Sequence, residues 1–358
     1  MASKQDQFAG TQEVREAHKF DEARLADWMQ ANVEGYEGPL TVEQFKGGQS
    51  NPTYKLITPK KNYVLRRKPP GKLLKSAHAV DREYKVITAL HAQGFPAAKT
   101  YGLCTDEDVI GTWFYIMDCV EGRIFWDTTF PEVPTEQRRD YFNAMNKTIA
   151  QLHSYDPDEI GLGDYGKKQD YLARQISRWG GQYKNDEEAG HFYEMDRLCE
   201  WLPENIPDEG PARVVHGDYR CDNMIFHPTE PRVLAVLDWE LSTLGDPLAD
   251  FTYHLMMYRM PPTETAGLVG RDLEELNIPT ENEYVRAYME RTGLKELPNV
   301  DFYMAYNMFR LCAIVHGIKG RYIRGTASNK HAAAMADRVE PLGKLAWEQA
   351  KKAGAKDK

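Results

Sequence analysis

Cysteine is scarce: the 358 residues hold five, at 104, 119, 199, 221 and 312, and none forms a CxxC pair. That count and scatter exclude a disulfide framework and a zinc ribbon, and they point to a reducing, cytoplasmic setting. Long apolar runs are missing as well; nothing approaches the roughly 20 residues that span a bilayer, so no membrane partner is expected. The opening MASKQDQFAG lacks the apolar centre of a secretory leader. An excess of positive charge is also absent. Lys and Arg number 45 against 54 Asp and Glu, a net charge of −9, which argues against nucleic acid as a partner. What is present, 42% hydrophobic residues in a chain of this length, is enough for a packed core and is a prior for two domains.

The charge is unevenly spread. Between Lys55 and Lys85 stand ten basic residues and only two acids, Asp81 and Glu83, a local balance of +8. A basic segment in an acidic chain points to an anionic ligand held at one place.

Along the chain, residues 20–33 place Leu25, Trp28, Met29 and Val33 at helical spacing. TVEQF, TYKLIT and NYVLRR then read as three antiparallel strands separated by turn-like KGGQSNP and PKK. A helix over 77–93 ends at Gly94, with Pro96 beyond it, and two further strands are predicted near 100–104 and 112–118. This makes a small lobe with a five-strand sheet over residues 1–118. After Gly122 the periodicity is mainly helical, over 135–153, 168–183, 189–202, 246–259, 281–291 and 301–318. The interruption is 213–238, where RVVHGD, NMIFH and RVLAVLD are short apolar runs joined by loops. No internal repeat is found. The expected division is 1–118, a connector at 119–122, and a helical part over 123–358: an α+β chain of two lobes.

The chemistry concentrates in 213–250. The spacing puts Asp218, Asn223 and Asp238 at the ends of neighbouring strands. Mg²⁺ takes hard oxygen ligands and keeps several waters, so one or two protein groups plus substrate phosphates suffice. A further carboxylate beside the metal can orient an attacking hydroxyl, and phosphoryl transfer needs little beyond positioning and charge neutralisation.

HGDYRCDN followed by LDWE resembles the Brenner-type motif and metal-binding Asp of the aminoglycoside phosphotransferase and choline kinase superfamily, relatives of protein kinases. Longer stretches, among them VEQFKGGQSNPTYKL, GDYGKKQDYLARQISRW, LDWELSTLGDPLADF and MFRLCAIVHGIKGRY, are similar to the phosphotransferase domain joined to acyl-CoA dehydrogenases in family members ten and eleven, and to stand-alone bacterial relatives. The resemblance implies a two-lobed protein-kinase-like fold and an ATP- and Mg²⁺-dependent transfer to a hydroxyl of a small molecule, with a hydroxyacyl-CoA as the substrate class to test. Asp218 is then the catalytic residue, and Asn223 and Asp238 hold Mg²⁺. Arg66, standing where the superfamily usually has Lys, contacts the nucleotide phosphates and pairs with Glu83. Gly48 and Ser50, in a turn that is not GxGxxG, cover those phosphates. Backbone groups of Asp118 and Val120 hydrogen-bond adenine. No long activation loop and no APE signal are found, which fits a small-molecule kinase. An aminoglycoside kinase and a catalytically silent nucleotide- or acyl-CoA-binding module are the competing readings.

Blander roles suit several neighbours. His216 is expected to pack against the catalytic loop, and Cys221 to be a buried thiol. Asp246 and Asp250 are expected to brace loops through backbone hydrogen bonds. Lys60, Lys61, Arg67 and Lys68 are expected at the surface. Tyr303, Tyr306, Asn307 and Arg310 read as core or as the lining of an acceptor pocket. Residues 302–324 carry four cations and no acid, which favours an anionic or neutral acceptor over a polycationic aminoglycoside.

Overall fold

The computed structural model describes residues 10–46, 51–69, 79–262, 267–326 and 332–357. Packing of the Cα trace divides the chain into two compact units. The first comprises the chain up to Phe130 together with Asp158–Tyr165 and Arg220–Ser242; the second holds Pro131–Pro157, Gly166–Tyr219 and Thr243–Lys358. The packing boundary thus falls at Phe130 rather than at 119–122, and the segment following Tyr219 goes with the first unit.

The first unit is built on an antiparallel sheet of six strands in the order β1-β2-β3-β4-β6-β5. These are β1 (Thr11–Gln12), β2 (Thr41–Phe45), β3 (Thr53–Ile57), β4 (Tyr63–Arg67), β5 (Thr100–Cys104) and β6 (Phe114–Asp118). Five of them coincide with the apolar runs read from the sequence. The sixth, β1, is two residues opposite Phe45 and Gln44, too short to leave an alternating pattern. On one face Tyr54, Leu56, Tyr63, Leu65, Phe114 and Ile116 form a core with Leu25, Met29 and Val33 from the segment at helix Glu22–Asn32. Asp21 starts that helix by accepting from the amides of Ala23 and Arg24 at 3.0 Å.

Arg67 was expected at the surface and is instead buried. Strand alternation puts it on the same face as Tyr63 and Leu65, with its guanidinium 5.3 Å from the Phe20 ring centroid and 5.8 Å from that of Tyr54. Burial pulls its pKa down.

Helix Val80–Ala92 buries Val80, Glu83, Val86, Ile87 and Leu90 on one side. The carboxylate of Glu83 therefore shares its face with core residues. Later in the chain, strands β8 (Met224–Phe226) and β9 (Val233–Val236) form a hairpin belonging to this unit. It is fastened by Val236 N–H donating to Pro96 O at 2.8 Å, and by Trp239 packing edge-on against Phe95. Gly122 lies against the same hairpin: a Cβ there would stand 2.2 Å from Phe226 O, so only glycine fits.

The second unit is helical, with a small antiparallel pair of β7 (Arg213–Val215) and β10 (Thr243–Gly245). Its long helix Val300–Ile323 buries residues around its whole circumference, among them Phe302, Ala305, Met308, Phe309 and Cys312, as a helix at the centre of a bundle must. The predicted helices over 135–153, 168–183, 189–202, 246–259 and 281–291 are found as Arg138–Ser154, Tyr171–Asn185, Tyr193–Glu204, Pro247–Leu255 and Glu281–Thr292. Among the described residues no helix is long and apolar enough to cross a membrane.

Candidate functional site

In the first unit Arg66 leaves β4 on the face opposite Arg67 and enters a nearly closed group of carboxylates. Its Nε is 2.7 Å from Glu83 Oε2, an ion pair whose N–H is not aligned for a regular hydrogen bond. Its Nη2 donates to Asp238 Oδ1 at 2.8 Å and stands 3.8 Å from Glu240 Oε2. Glu83 is fixed from two further sides, by Asn51 Nδ2 at 2.8 Å and Tyr115 OH at 3.1 Å. Burial pushes the Glu83 carboxyl above its ordinary range, against the pull of Arg66. Burial disfavours the Arg66 charge too, but Glu83, Tyr115, Asp238 and Glu240 outweigh it and raise the guanidinium pKa further. The pair expected between Arg66 and Glu83 is present, and Asp238 is joined to it.

Asp238 sits just past β9 in the left-handed region, at φ 62° and ψ 60°, a conformation that costs a non-glycine residue energy and is found at functional positions. Asn223 ends the 3₁₀ turn Cys221–Asn223. Its carbonyl accepts from Leu237 N–H at 2.8 Å, which sets Asn223 beside the residue preceding Asp238. Asn223, just before β8, and Asp238, just after β9, flank the open end of this hairpin, and as the metal ligands expected from the sequence they would offer one amide and one carboxylate oxygen, both hard donors. Among the described residues no group of three or more His, Cys, Asp or Glu side chains could hold a metal ion by itself. The set fits an ion such as Mg²⁺ that completes its shell with phosphate and water, and does not fit a self-sufficient protein cage.

Asp118 closes β6. Its amide donates to Lys99 O at 2.8 Å. Its carboxylate accepts from Tyr101 OH at 2.6 Å and pairs with Lys61. Val120 follows two residues on and is half-buried. Gly48 and Ser50 lie outside the described residues.

Asp218 belongs to the second unit. Strand β7 delivers His216, Gly217 and Asp218, and Gly217 turns the chain at φ +84°, which a side chain would strain. Asp218 Oδ1 accepts from Tyr253 OH at 2.5 Å. Behind it, Arg310 is 6% exposed, donates to Gly217 O at 2.7 Å and lies 5.2 Å from the Tyr253 ring centroid. Burial works against the Arg310 charge, which the phenols of Tyr306, Tyr171 and Tyr253 and the Asp218 carboxylate more than restore. Asp250, 3% exposed, accepts from the amides of His216 at 2.7 Å and Gly217 at 2.8 Å, and contacts His153 Nε2 at 3.2 Å. His216 is buried, and its Nδ1 accepts from the Asp218 amide at 3.1 Å. It is a brace of the loop, as is Asp246, which caps helix Pro247–Leu255 through Leu248 N–H and takes Tyr303 OH.

Of the four residues read as core or pocket, all are buried. Tyr303 and Asn307 are used up in bracing: Asn307 Nδ2 donates to Ala249 O and Thr252 Oγ1. Burial pushes the Cys221 thiol up to about 12, so it is inert at neutral pH. His227 Nδ1 caps the β8–β9 turn by accepting from the amides of Thr229 and Glu230.

The residues that sequence reasoning missed had readable signals. Tyr115 is the cross-strand partner of Arg66, so the pairing of two correctly predicted strands places both on one face. Tyr253 follows Asp250 by three and Asp246 by seven, one side of one helix.

His254 lies in the same buried layer. Its Nδ1 contacts Tyr219 O at 3.2 Å and its Nε2 contacts Tyr284 OH at 2.7 Å. Burial lowers its pKa to about 4. An unfolded histidine takes up its proton near 6.5 and the folded one resists, so the contribution is intact above that pH and is lost as pH falls toward 4. The loss is on the order of 3 kcal/mol. Melting temperature followed from pH 7 to pH 4.5 should therefore fall more steeply in the unaltered chain than in His254→Asn, which keeps a donor for Tyr219 O and cannot be protonated. Parallel curves would contradict this.

The phosphotransferase enzyme family model matches residues 41–288. Acyl-CoA dehydrogenase family member 10 of Mus musculus is 41% identical over 319 residues, 88% of this chain and 30% of that protein. Family member 11 of Homo sapiens is 40% identical over 348 residues, 95% of this chain and 44% of that protein. The chain thus spans less than half the length of these curated relatives. Among solved structures, a protein of Ralstonia eutropha JMP134 provisionally named an aminoglycoside phosphotransferase is 48% identical with a TM-score of 0.87, covering 93% of this chain and 99% of that one. The HGDYRCDN and LDWE segments and five of the six strands of the sheet fall inside residues 41–288, and the chain belongs to the phosphotransferase enzyme family, with its kinase-like fold.

Proposed function

We propose that the chain transfers the γ-phosphoryl group of ATP to a hydroxyl of a small molecule, in a Mg²⁺-dependent reaction. The observation that carries this is the joining of Arg66, Glu83 and Asp238 in one unit: a buried cation aimed at the carboxylate that the family motif assigns to the metal. Asp218 orients the acceptor hydroxyl and receives its proton, Arg66 steadies the phosphates, and the carbonyl of Asp118 and amide of Val120 hold adenine. Gly48 and Ser50 are assigned to the phosphate turn from sequence alone. Asn223 and Asp238 would hold Mg²⁺, which when bound neutralises the charge on the β- and γ-phosphates.

For the acceptor, a hydroxyacyl-CoA is the favoured class. About 40% identity extends over nearly the whole chain to proteins named for acyl-CoA chemistry. The acid-free stretch 302–324 supports an acceptor that is not a polycation. The test is ATP consumption by the purified chain with Mg²⁺, compared across hydroxyacyl-CoAs, sugars, amino alcohols and aminoglycosides. Consumption dependent on a hydroxyacyl-CoA is expected. Dependence on an aminoglycoside instead would reassign the acceptor, and no consumption with any of them would leave a silent binding module.

A further inference from the structure

Arg66 does two things at once that a lysine in its place could not. A lysine offers a compact point charge; a guanidinium is a rigid planar fork that can engage two carboxylates along different edges. Here one edge faces Glu83 and the other faces Asp238. The two ends are not equally held. Glu83 is 2% exposed and is fixed by Asn51 and Tyr115 as well, so that end of the fork is anchored. The Asp238 side chain is 38% exposed, so that end opens toward solvent and toward any ligand arriving there.

The charges sharpen the contrast. One guanidinium stands within 4 Å of three carboxylates, those of Glu83, Asp238 and Glu240. The carboxylates around Arg66 thus outnumber that one guanidinium, which suits a divalent cation. Yet the carboxylate such a cation would use already accepts from Arg66, and two cations sharing one carboxylate repel each other. Nucleotide phosphates supply the guanidinium with an alternative partner and draw its Nη2 edge away from Asp238.

Resting on the assignment of Asn223 and Asp238 as metal ligands, we propose that Arg66 is a positioning residue that competes with the divalent cation for Asp238, so that tight metal loading waits for nucleotide. Until nucleotide engages the guanidinium, its Nη2 hydrogen bond to Asp238 would occupy that carboxylate. Metal and nucleotide are then coupled through one side chain, and by linkage each raises the affinity of the other.

Binding of Mn²⁺ to the full chain, read by electron paramagnetic resonance without any turnover, tests this. In the absence of nucleotide, Arg66→Lys, which keeps a cation for Glu83 but loses the fork, should bind Mn²⁺ about tenfold more tightly than the unaltered protein. With a non-hydrolysable ATP analogue present, the gap should close to within about threefold. Equal or weaker Mn²⁺ binding by Arg66→Lys without nucleotide overturns the competition. Should the lysine variant not fold, Arg66→Met/Glu83→Gln removes both charges together and carries the same expectation. Asp238→Asn serves as the separate control. Mn²⁺ binding that survives it shows that the metal assignment itself has failed, whatever the Arg66 variants do.

Discussion

Asp218→Asn is expected to lower turnover by about 10³-fold or more while leaving Mg·ATP affinity within about twofold. The substitution is nearly isosteric, and an amide oxygen can still accept from Tyr253 OH, so the loop held by Gly217 and Arg310 should keep its shape. What the substitution would remove is the carboxylate that, under the proposed function, orients the acceptor hydroxyl and takes its proton. General-base assistance accounts for about 10²–10⁴-fold in such reactions, and a 10³-fold loss corresponds to about 4 kcal/mol of transition-state stabilisation. The informative comparison is steady-state turnover with the best acceptor beside calorimetric binding of a non-hydrolysable ATP analogue. Undiminished turnover would remove Asp218 from its assigned role. A parallel collapse of nucleotide binding would point to a folding defect instead.

The second large effect concerns stability. Asp250→Ala should cost about 3–5 kcal/mol, the usual penalty for removing one partner of a buried charged network, and lower the melting temperature by roughly 10 °C. The reason is local. The carboxylate is buried and answers the amides of His216 and Gly217 and the ring of His153. Alanine leaves those donors in a dry interior, where an unmet hydrogen-bonding group is costly. Burial alone would raise the Asp250 carboxyl, but His153 and the amides outweigh it and hold it below the usual carboxylate range. Its contribution is accordingly present at neutral pH and is lost as pH falls through that lowered value. Differential scanning calorimetry of the variant at pH 7 decides the point; a melting temperature within 2 °C or so of the unaltered chain would show that the network is dispensable.

Much of this architecture was legible from residue patterns because the relevant signals are local. The strands TVEQF, TYKLI and YVLRR announce themselves by composition and alternation, and Glu83 by its helical spacing with Ile87 and Leu90. The proximity of Arg66 to Glu83 followed from the family resemblance, and the structure supplies it at 2.7 Å. Features set by tertiary packing were harder to read. Arg67 looked like a surface cation in a basic run, whereas strand alternation counted through to its end puts it between two aromatic rings. The third member of the Arg66 group, Asp238, lies 172 residues away in the chain, beyond any local pattern. The Tyr253 contact to Asp218 likewise depends on how helix Pro247–Leu255 lies on the loop after β7, which no spacing rule specifies.

The assignment of Arg220–Ser242 to the same unit as the six-strand sheet bears on how the chain is made. That unit is discontinuous: its first stretch is complete at Phe130, but the β8–β9 hairpin that docks through Val236 on Pro96 and Trp239 on Phe95 comes some 90 residues later. At synthesis rates of about 5–20 residues per second, the sheet waits on the order of ten seconds for its last segment, with the Phe95 surface uncovered meanwhile. Truncating after Phe130 would thus yield an unfinished unit rather than a free-standing lobe. Dissection of this protein into independently expressed halves has to follow its packing, not its linear order.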